Sequence, residues 1–427
     1  MYDRRDLLQA HRLVTHRMSQ ALLCGEPDSR NRPLRRMYTA SASSLLLGVI
    51  AAGVFGVLGV LLPGRATGLN QPGTLVVDTD TATAYVPCAR GELCPAMNFA
   101  SALLTLDSPG AIRRVTVRQA ELAGYVIGPP VGIAGLPPSL PAASALVRGP
   151  WSVCAKGGAT VLVGGVSTRG REFGPSDAAL VSAGGGEWLL WDSTRLAIRP
   201  SVAQTLFGAG PVGVPLAWLD SLPLGPDFAA PALPGAGQTV TGPVGTAAPV
   251  GQVYVQQSPR QYYALTADGR LAAVTAVAAA LLERVPGAQS GQPISSSSAA
   301  SDLGGTTVRT PGLPTTVPRL ARASSALCAV YRAGAGPVIT VGGVVPSGGG
   351  TSGAVRAWFP PGGGALVRSA HGWLLLANAH RYPVGSAAAA QALGYDLGRD
   401  AVPLPASVTD LLAPGPALQI MAKAPTS

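Results

Sequence analysis

The chain has 427 residues, 47% of them apolar and 12% charged, which excludes disorder along its length, since disordered chains are rich in charge and poor in apolar groups. Gly (55) and Pro (39) are both in excess, which favours turns and short elements over long helices. The net charge of +10 suggests an anionic partner, but its distribution argues against a nucleic-acid surface: residues 1–44 carry eight Arg against four acids, and the remainder is spread thinly, with no dense Lys/Arg run and no interleaved aromatic motif.

Residues Asp6 to Leu23 read as an amphipathic helix. Leu7, Leu8, Val14, Met18, Ala21 and Leu22 approximate one stripe, with Arg12 and Arg17 among the polar residues. Such a basic helix suits an anionic lipid surface or a partner protein. Ser43 to Leu62 then gives twenty residues without a charge, closed by Pro63 and Gly64. As a helix this run is about 30 Å long, the thickness of a hydrocarbon core. Arg30, Arg32, Arg35 and Arg36 precede it, and Arg65 is the only basic residue after it until Arg90. The positive-inside rule therefore places the N-terminus in the cytoplasm and the rest of the chain outside the cell membrane. A cleaved signal peptide is the rival, disfavoured by the long n-region and the lack of an A-x-A site. Within the span Gly48, Ala52 and Gly56 form a small-residue face that suits close helix packing, or reflect an Ala/Gly-rich composition.

The remainder repeats itself. GLPPSLPAA from Gly135 resembles GLPTTVPRL from Gly312, and each leads to an apolar stretch with a cysteine, Cys154 and Cys328. TVLVGGV and VITVGGV follow, then EWLLWDSTRLAI and GWLLLANAHRYPV, then VGVPLAWLDSLPLGPDF and AVPLPASVTDLLAPGPAL. A smaller unit occurs four times: a strand hairpin, a short apolar strand and a small-residue helix. It starts at LVVDTDTATAYV, EWLLWDSTRLAI, VYVQQSPRQYYAL and GWLLLANAHRYPV, and Asp268-Gly269 makes a good hairpin turn in the third copy. The GGG runs at 184–186, 348–350 and 362–364 read as hairpin turns, and Ser295–Ser298 as a mobile loop.

The predicted fold class is α+β: one N-terminal transmembrane helix and an elongated extracytoplasmic part of two pseudo-symmetric halves. Four hairpin/helix units surround a central β domain. The divisions are a cytoplasmic tail at 1–42, the span at 43–62 and the first unit at 63–135. The first central half with units two and three takes 136–285, and the second half with unit four takes 286–427.

Cys24 is expected to be a free cytoplasmic thiol, whereas the other four cysteines lie where disulfides persist. Four cysteines allow three pairings. We favour Cys154 with Cys328, at equivalent points of the two halves, and Cys88 with Cys94, which flank a short loop. A metal site lacks a Cys-x-x-Cys or His cluster to support it. No chemistry announces itself. Lys156 and Lys423 fit no phosphate-binding loop, no Ser stands in G-x-S-x-G, and His371 and His380 read as surface or turn residues. No catalytic residue, metal or cofactor is assigned.

The ordered set QAHRLVTHRM, the span, DTDTATAYV, MNFASALL, the SVC and LCAV cysteines, ADGRLAAVTAVAAALL and VPLPASVTDLLAPGPAL resembles the EccB component of actinobacterial type VII (ESX) secretion systems over nearly the whole chain. The resemblance implies a structural membrane component assembled with an EccC-type ATPase, EccD and EccE, near a mycosin protease, and self-associating. It implies four repeat domains, similar to cell-wall-binding modules, around a central β domain. It also implies a disulfide that Cys154 and Cys328 match. Cys88 and Cys94 depart from the pattern. ATP hydrolysis has been proposed within the family; without a phosphate-binding loop it is not expected here. The alternative is an independent ectodomain that binds or processes cell wall.

Overall fold

A computed structural model describes residues 4–24, 33–61, 67–88, 91–106, 112–305, 308–321, 326–332 and 335–421. They fall into two bodies, one holding the residues up to Gly68 with Val117–Gly124, the other holding Leu69–Thr116 and everything from Tyr125 onward.

The first body contains α1 (Arg4–Cys24) and α2 (Pro33–Leu61). Leu7, Leu8, Val14, Met18 and Leu22 of α1 are all exposed. α2 starts ten residues before the charge-free run, because nothing between Pro33 and Pro63 breaks a helix and Pro is well tolerated at a helix start. Its apolar window, Met37–Val57, is long enough to cross a membrane. Ser44 satisfies its hydroxyl by donating to the Ser41 carbonyl at 2.9 Å, which lets a polar residue sit in an apolar helix. Gly48, Ala52 and Gly56 lie four residues apart on α2, and a Cβ on either glycine would touch nothing. Arg30, Arg32 and Leu62 lie outside the described residues, as do the side chains of Cys24, Arg35 and Arg36.

The second body opens with unit one: β1 (Thr74–Asp78), β2 (Ala84–Pro87), β3 (Leu93–Pro95), α3 (Phe99–Leu106) and β4 (Arg113–Val117), with α4 (Gln119–Leu122) falling in the first body. The central strands β5 (Trp151–Lys156), β6 (Ala159–Gly164) and β7 (Arg171–Glu172) follow. Unit two is β8 (Asp177–Ala183), β9 (Gly186–Trp191), β10 (Thr194–Ile198), α5 (Pro200–Phe207), β11 (Val212–Gly213) and α6 (Leu216–Asp220). A small ribbon, β12 (Thr239–Thr241) and β13 (Ala247–Pro249), precedes unit three. That unit is β14 (Val253–Gln257), β15 (Arg260–Leu265), β16 (Leu271–Val274), α7 (Ala276–Leu282), β17 (Gln292–Pro293) and α8 (Ser296–Ser301). After β18 (Arg319–Leu320) the centre resumes with β19 (Leu327–Tyr331), β20 (Val338–Val341), β21 (Gly350–Ser352) and β22 (Val355–Trp358). Unit four is β23 (Ala365–Ser369), β24 (Gly372–Ala377), β25 (His380–Pro383), α9 (Ala387–Ala392), α10 (Leu397–Asp400), β26 (Val402–Pro403), α11 (Ala406–Thr409) and β27 (Ala413–Pro414).

Units two, three and four share one plan. Three strands form an antiparallel meander, a helix follows, and a two-residue strand then pairs parallel to the first strand. A short helix and a return bridge to the third strand end each copy, as at Arg195 with Leu224, Leu271 with Leu303 and Val384 with Leu418. The turns match the twist of their strands. Asp192-Ser193 and Asn378-Ala379 occupy equivalent two-residue hairpins with positive φ at both positions, the backbone a tight hairpin demands.

The centre is a seven-stranded sheet in the order β21-β22-β6-β5-β19-β20-β7. β5 and β19 are antiparallel neighbours, with Cys154 opposite Cys328. Each half lends a strand to the other, β7 pairing with β20 and β22 with β6. The period of two along each strand sorts the side chains. Val153, Ala155, Leu162, Leu327 and Ala329 face a core shared with Trp218 and Leu219 of α6 and with Val367 and Leu374 of unit four. Cys154, Val161, Val163 and Cys328 face a smaller cluster with Val345.

Units two and four are buried on both sides. Ala179 and Val181 point to the centre, while Ala178 and Leu180 meet Val277 and Leu281 of α7. Val367 points to the centre, while Leu366 lies in a cluster with Ala100 and Leu104 of α3. Burial on both faces explains why these strands read as continuous apolar runs instead of alternating ones.

Three expectations need correction. Unit three is completed by β17 and α8, so a division at 285/286 cuts through it; its edge strand hides in a Gly/Pro/Ser-rich stretch. Ser295–Ser298 is not a loop. Ser295 is an N-cap whose hydroxyl accepts the Ser298 N–H at 3.1 Å, and Ala299 of the resulting helix is buried. Of the three GGG runs only 184–186 makes a hairpin, because 348–350 leads into β21 and 362–364 joins strands of different sheets.

Candidate functional site

Of the residues singled out by sequence, Cys154 and Cys328 meet at the seam between β5 and β19. The Sγ atoms of Cys154 and Cys328 are 2.12 Å apart and their Cα atoms 4.0 Å, with both residues fully buried. Cys88 and Cys94 are at bonding distance in unit one, Sγ to Sγ 2.05 Å and Cα to Cα 5.9 Å. Two glycines shape the seam. A Cβ on Gly343 would stand 3.4 Å from the Cys328 Sγ. A Cβ on Gly164 would stand 2.6 Å from the Trp151 ring. The recurring Val-Gly-Gly-Val stretches are therefore packing requirements.

Polar ties join the seam to its flanking units. The Trp218 indole donates to the Val153 carbonyl at 2.8 Å, and the Tyr331 hydroxyl donates to the Ser221 carbonyl at 2.6 Å. The Ser407 hydroxyl of unit four shares that carbonyl at 3.1 Å. Burial pushes the Tyr331 phenol up from its ordinary value, so it stays a donor. Tyr395, also pushed up by burial, donates to the Pro141 carbonyl at 2.5 Å.

A second recurring feature closes units two and four. Arg195 on the third strand pairs with Asp220 at the end of α6, and Arg381 pairs with Asp410 just after α11. His371 adds a 3.2 Å contact to Asp410. At the end of α10 Asp400 is buried, accepting from Arg399 Nε at 2.9 Å, the Asp396 N–H at 2.9 Å and Arg148 at 3.2 Å. The Arg399 bonds, then the backbone one, hold its pKa down to about 2.

His380 Nδ1 lies 2.8 Å from the Asn378 carbonyl in its own hairpin, and among the described residues no three His, Cys, Asp or Glu side chains gather as a metal set. What the arrangement does is hold modules in fixed relation. Sequence reading missed the Asp400 cluster and the Arg–Asp clamps. The clamps left a signal, since Arg195/Asp220 and Arg381/Asp410 recur at matching points of the repeat.

Fold and seam thus define a modular scaffold: a disulfide-bridged central sheet bearing copies of one sheet-and-helix module, in a chain that also carries a helix able to span a membrane. Comparison with known proteins supplies the family. The model described as "Type VII secretion system ESX-1, transport TM domain B" matches residues 2–424, and the chain belongs to this EccB family. It is 32% identical over 256 residues to "ESX-2 secretion system ATPase EccB2" of Mycobacterium tuberculosis, covering 55% of this chain and 50% of that protein. It is 27% identical over 307 residues to "ESX-3 secretion system ATPase EccB3" of Mycolicibacterium smegmatis, covering 66% and 57%. The chain spans about half the length of the curated relatives it matches.

Among solved structures, a chain of the intact ESX-5 inner membrane complex superposes with a TM-score of 0.63 at 22% identity, covering 100% of this chain and 96% of that one, which shows the fold. The EccB3 dimer of the ESX-3 core complex gives 0.63 at 25% identity, covering 82% and 100%.

Proposed function

We propose that this protein is a structural component of a type VII secretion membrane complex, anchored by α2, with the sheet-rich body outside the cytoplasm as a scaffold for the channel. The observation that carries the reading is the family match over residues 2–424, on a fold that also occurs in ESX inner membrane complexes. Its partners are then an EccC-type ATPase, EccD, EccE and a mycosin protease, with a second copy of the chain as a further neighbour, as in the EccB3 dimer. The arginines at 30, 32, 35 and 36, before the apolar window, support an N-in orientation. Cys88–Cys94 and Cys154–Cys328 then stand in an oxidising compartment and serve as structural bonds.

The role is non-enzymatic in this reading, although the relatives bear the name ATPase. The chain has no G-x-x-x-x-G-K-[ST] sequence to cradle a nucleotide, and the seam offers ties between modules instead of a nucleophile with its base. Orientation and role are tested together in the host. A reporter active only outside the cytoplasm should be active when fused after Ser427 and silent when fused before residue 40. Deletion should stop ESX export. Reporter activity at the N-terminal fusion, or export undiminished by deletion, contradicts the proposal.

A further inference from the structure

A cavity of about 640 Å³ opens at the end of the seam, between the central strands and unit four, within the size range of small-molecule sites. Its charge is one-sided. Arg148 before β5, Arg332 after β19 and Arg368 on β23 all line it, and among the described residues no Asp or Glu does. Arg148 reaches Asp400, but Arg399 already holds that carboxylate through two bonds, so Arg148 is a secondary partner there. Arg332 pairs with Glu172 in an exposed contact that solvent weakens. Arg368 is exposed and, among the described residues, has no ion-pair partner.

The second observation is independent of charge. Trp151 lines the same cavity and is 4% exposed, with its indole N–H shut off from solvent, so it adds aromatic wall to the cavity. The other walls are apolar, formed by Pro150, Val402, Pro403, Leu404 and Pro405. Guanidinium groups are donors that match an oxyanion, and the aromatic and proline-rich wall matches hydrocarbon.

We propose that this cavity binds a small organic oxyanion, a carboxylate or a phosphate carried on a short apolar stem. An arginine on each of three separate segments supplies the charge, and the apolar wall beside Trp151 takes the stem. Both the charge and the stem contribute, so neither alone suffices. Because the cavity joins β5, β19 and unit four, an occupant also bridges the seam to that unit.

The full chain in an uncharged detergent is titrated by calorimetry with hexanoate, hexyl phosphate, hexanol and inorganic phosphate. At least one hexyl anion is expected to bind tenfold or more tightly than both hexanol and inorganic phosphate, and the tighter of the two identifies the headgroup. Arg368→Gln, an exposed change, should weaken that anion at least tenfold and leave hexanol unaltered. The proposal is overturned if no hexyl anion binds, if hexanol or inorganic phosphate binds as tightly, or if Arg368→Gln binds like the wild type.

Discussion

Asp400 is a charge the protein has taken out of water and kept. It is 3% exposed, and its oxygens accept from two arginines and a backbone N–H. The pKa, held down to about 2 mainly by the Arg399 bonds, lies below the usual value near 4 in an unfolded chain. A carboxyl with a depressed folded pKa stabilises the native state fully above the unfolded value, and that stabilisation fades as pH falls through the folded one. Asp400→Asn should therefore cost about 1–3 kcal/mol at pH 7, the range for losing hydrogen bonds to a charged group. The difference from wild type should narrow between about pH 4 and pH 2. Urea unfolding across that range checks it, and a gap independent of pH would contradict the assignment. No periodicity marks Asp400 in the sequence, because Arg399 is its chain neighbour and Arg148 is 252 residues away along the chain.

At the scale of elements, burial decides what could be read. The long hairpins were legible because β9, β10, β24 and β25 are strands with tight turns between apolar runs. The second half of each unit was not, because β11, β17 and β26 are two residues long and their helices one or two turns, too short for any period to show. A signal did exist in the resemblance of VGVPLAWLDSLPLGPDF to AVPLPASVTDLLAPGPAL, which belongs to the unit and not only to the half. The serine run failed for a different reason. Serine is a poor interior helix residue but a strong N-cap, and Ser295 uses it as one. Ser295→Ala should cost about 1 kcal/mol, seen as faster amide exchange in α8 with unit two unchanged. Trp218 carries a larger load. It is fully buried in α6 and bonded to the Val153 carbonyl, so it ties unit two to the seam. Trp218→Ala should cost about 3–5 kcal/mol and loosen both together, as read by denaturant unfolding.

Over the whole molecule, equivalence between the halves sets the design. Cys154 and Cys328 stand opposite each other because they hold matching positions in two tandem halves, and that equivalence is visible in the chain itself. A bond closing a 174-residue separation constrains the unfolded chain strongly. Cys154→Ser with Cys328→Ser should lower stability by about 2–5 kcal/mol, measured by urea unfolding, and reduce export while membrane insertion is retained. The cavity beside the seam escaped sequence reading because its lining is gathered from separated parts of the chain, among them residues 148–151, 331–332, 368–370 and 402–405.

The claim that this chain is an assembled scaffold, and not an ectodomain acting alone, is tested most directly by affinity purification from native membranes in mild detergent, with mass spectrometry of what accompanies it. The full chain should bring down an EccC-type ATPase and a multi-spanning EccD-type protein in constant proportion, and a version beginning near residue 67 should not. Recovery of the full chain alone, or with cell-wall enzymes in place of those subunits, would contradict the account.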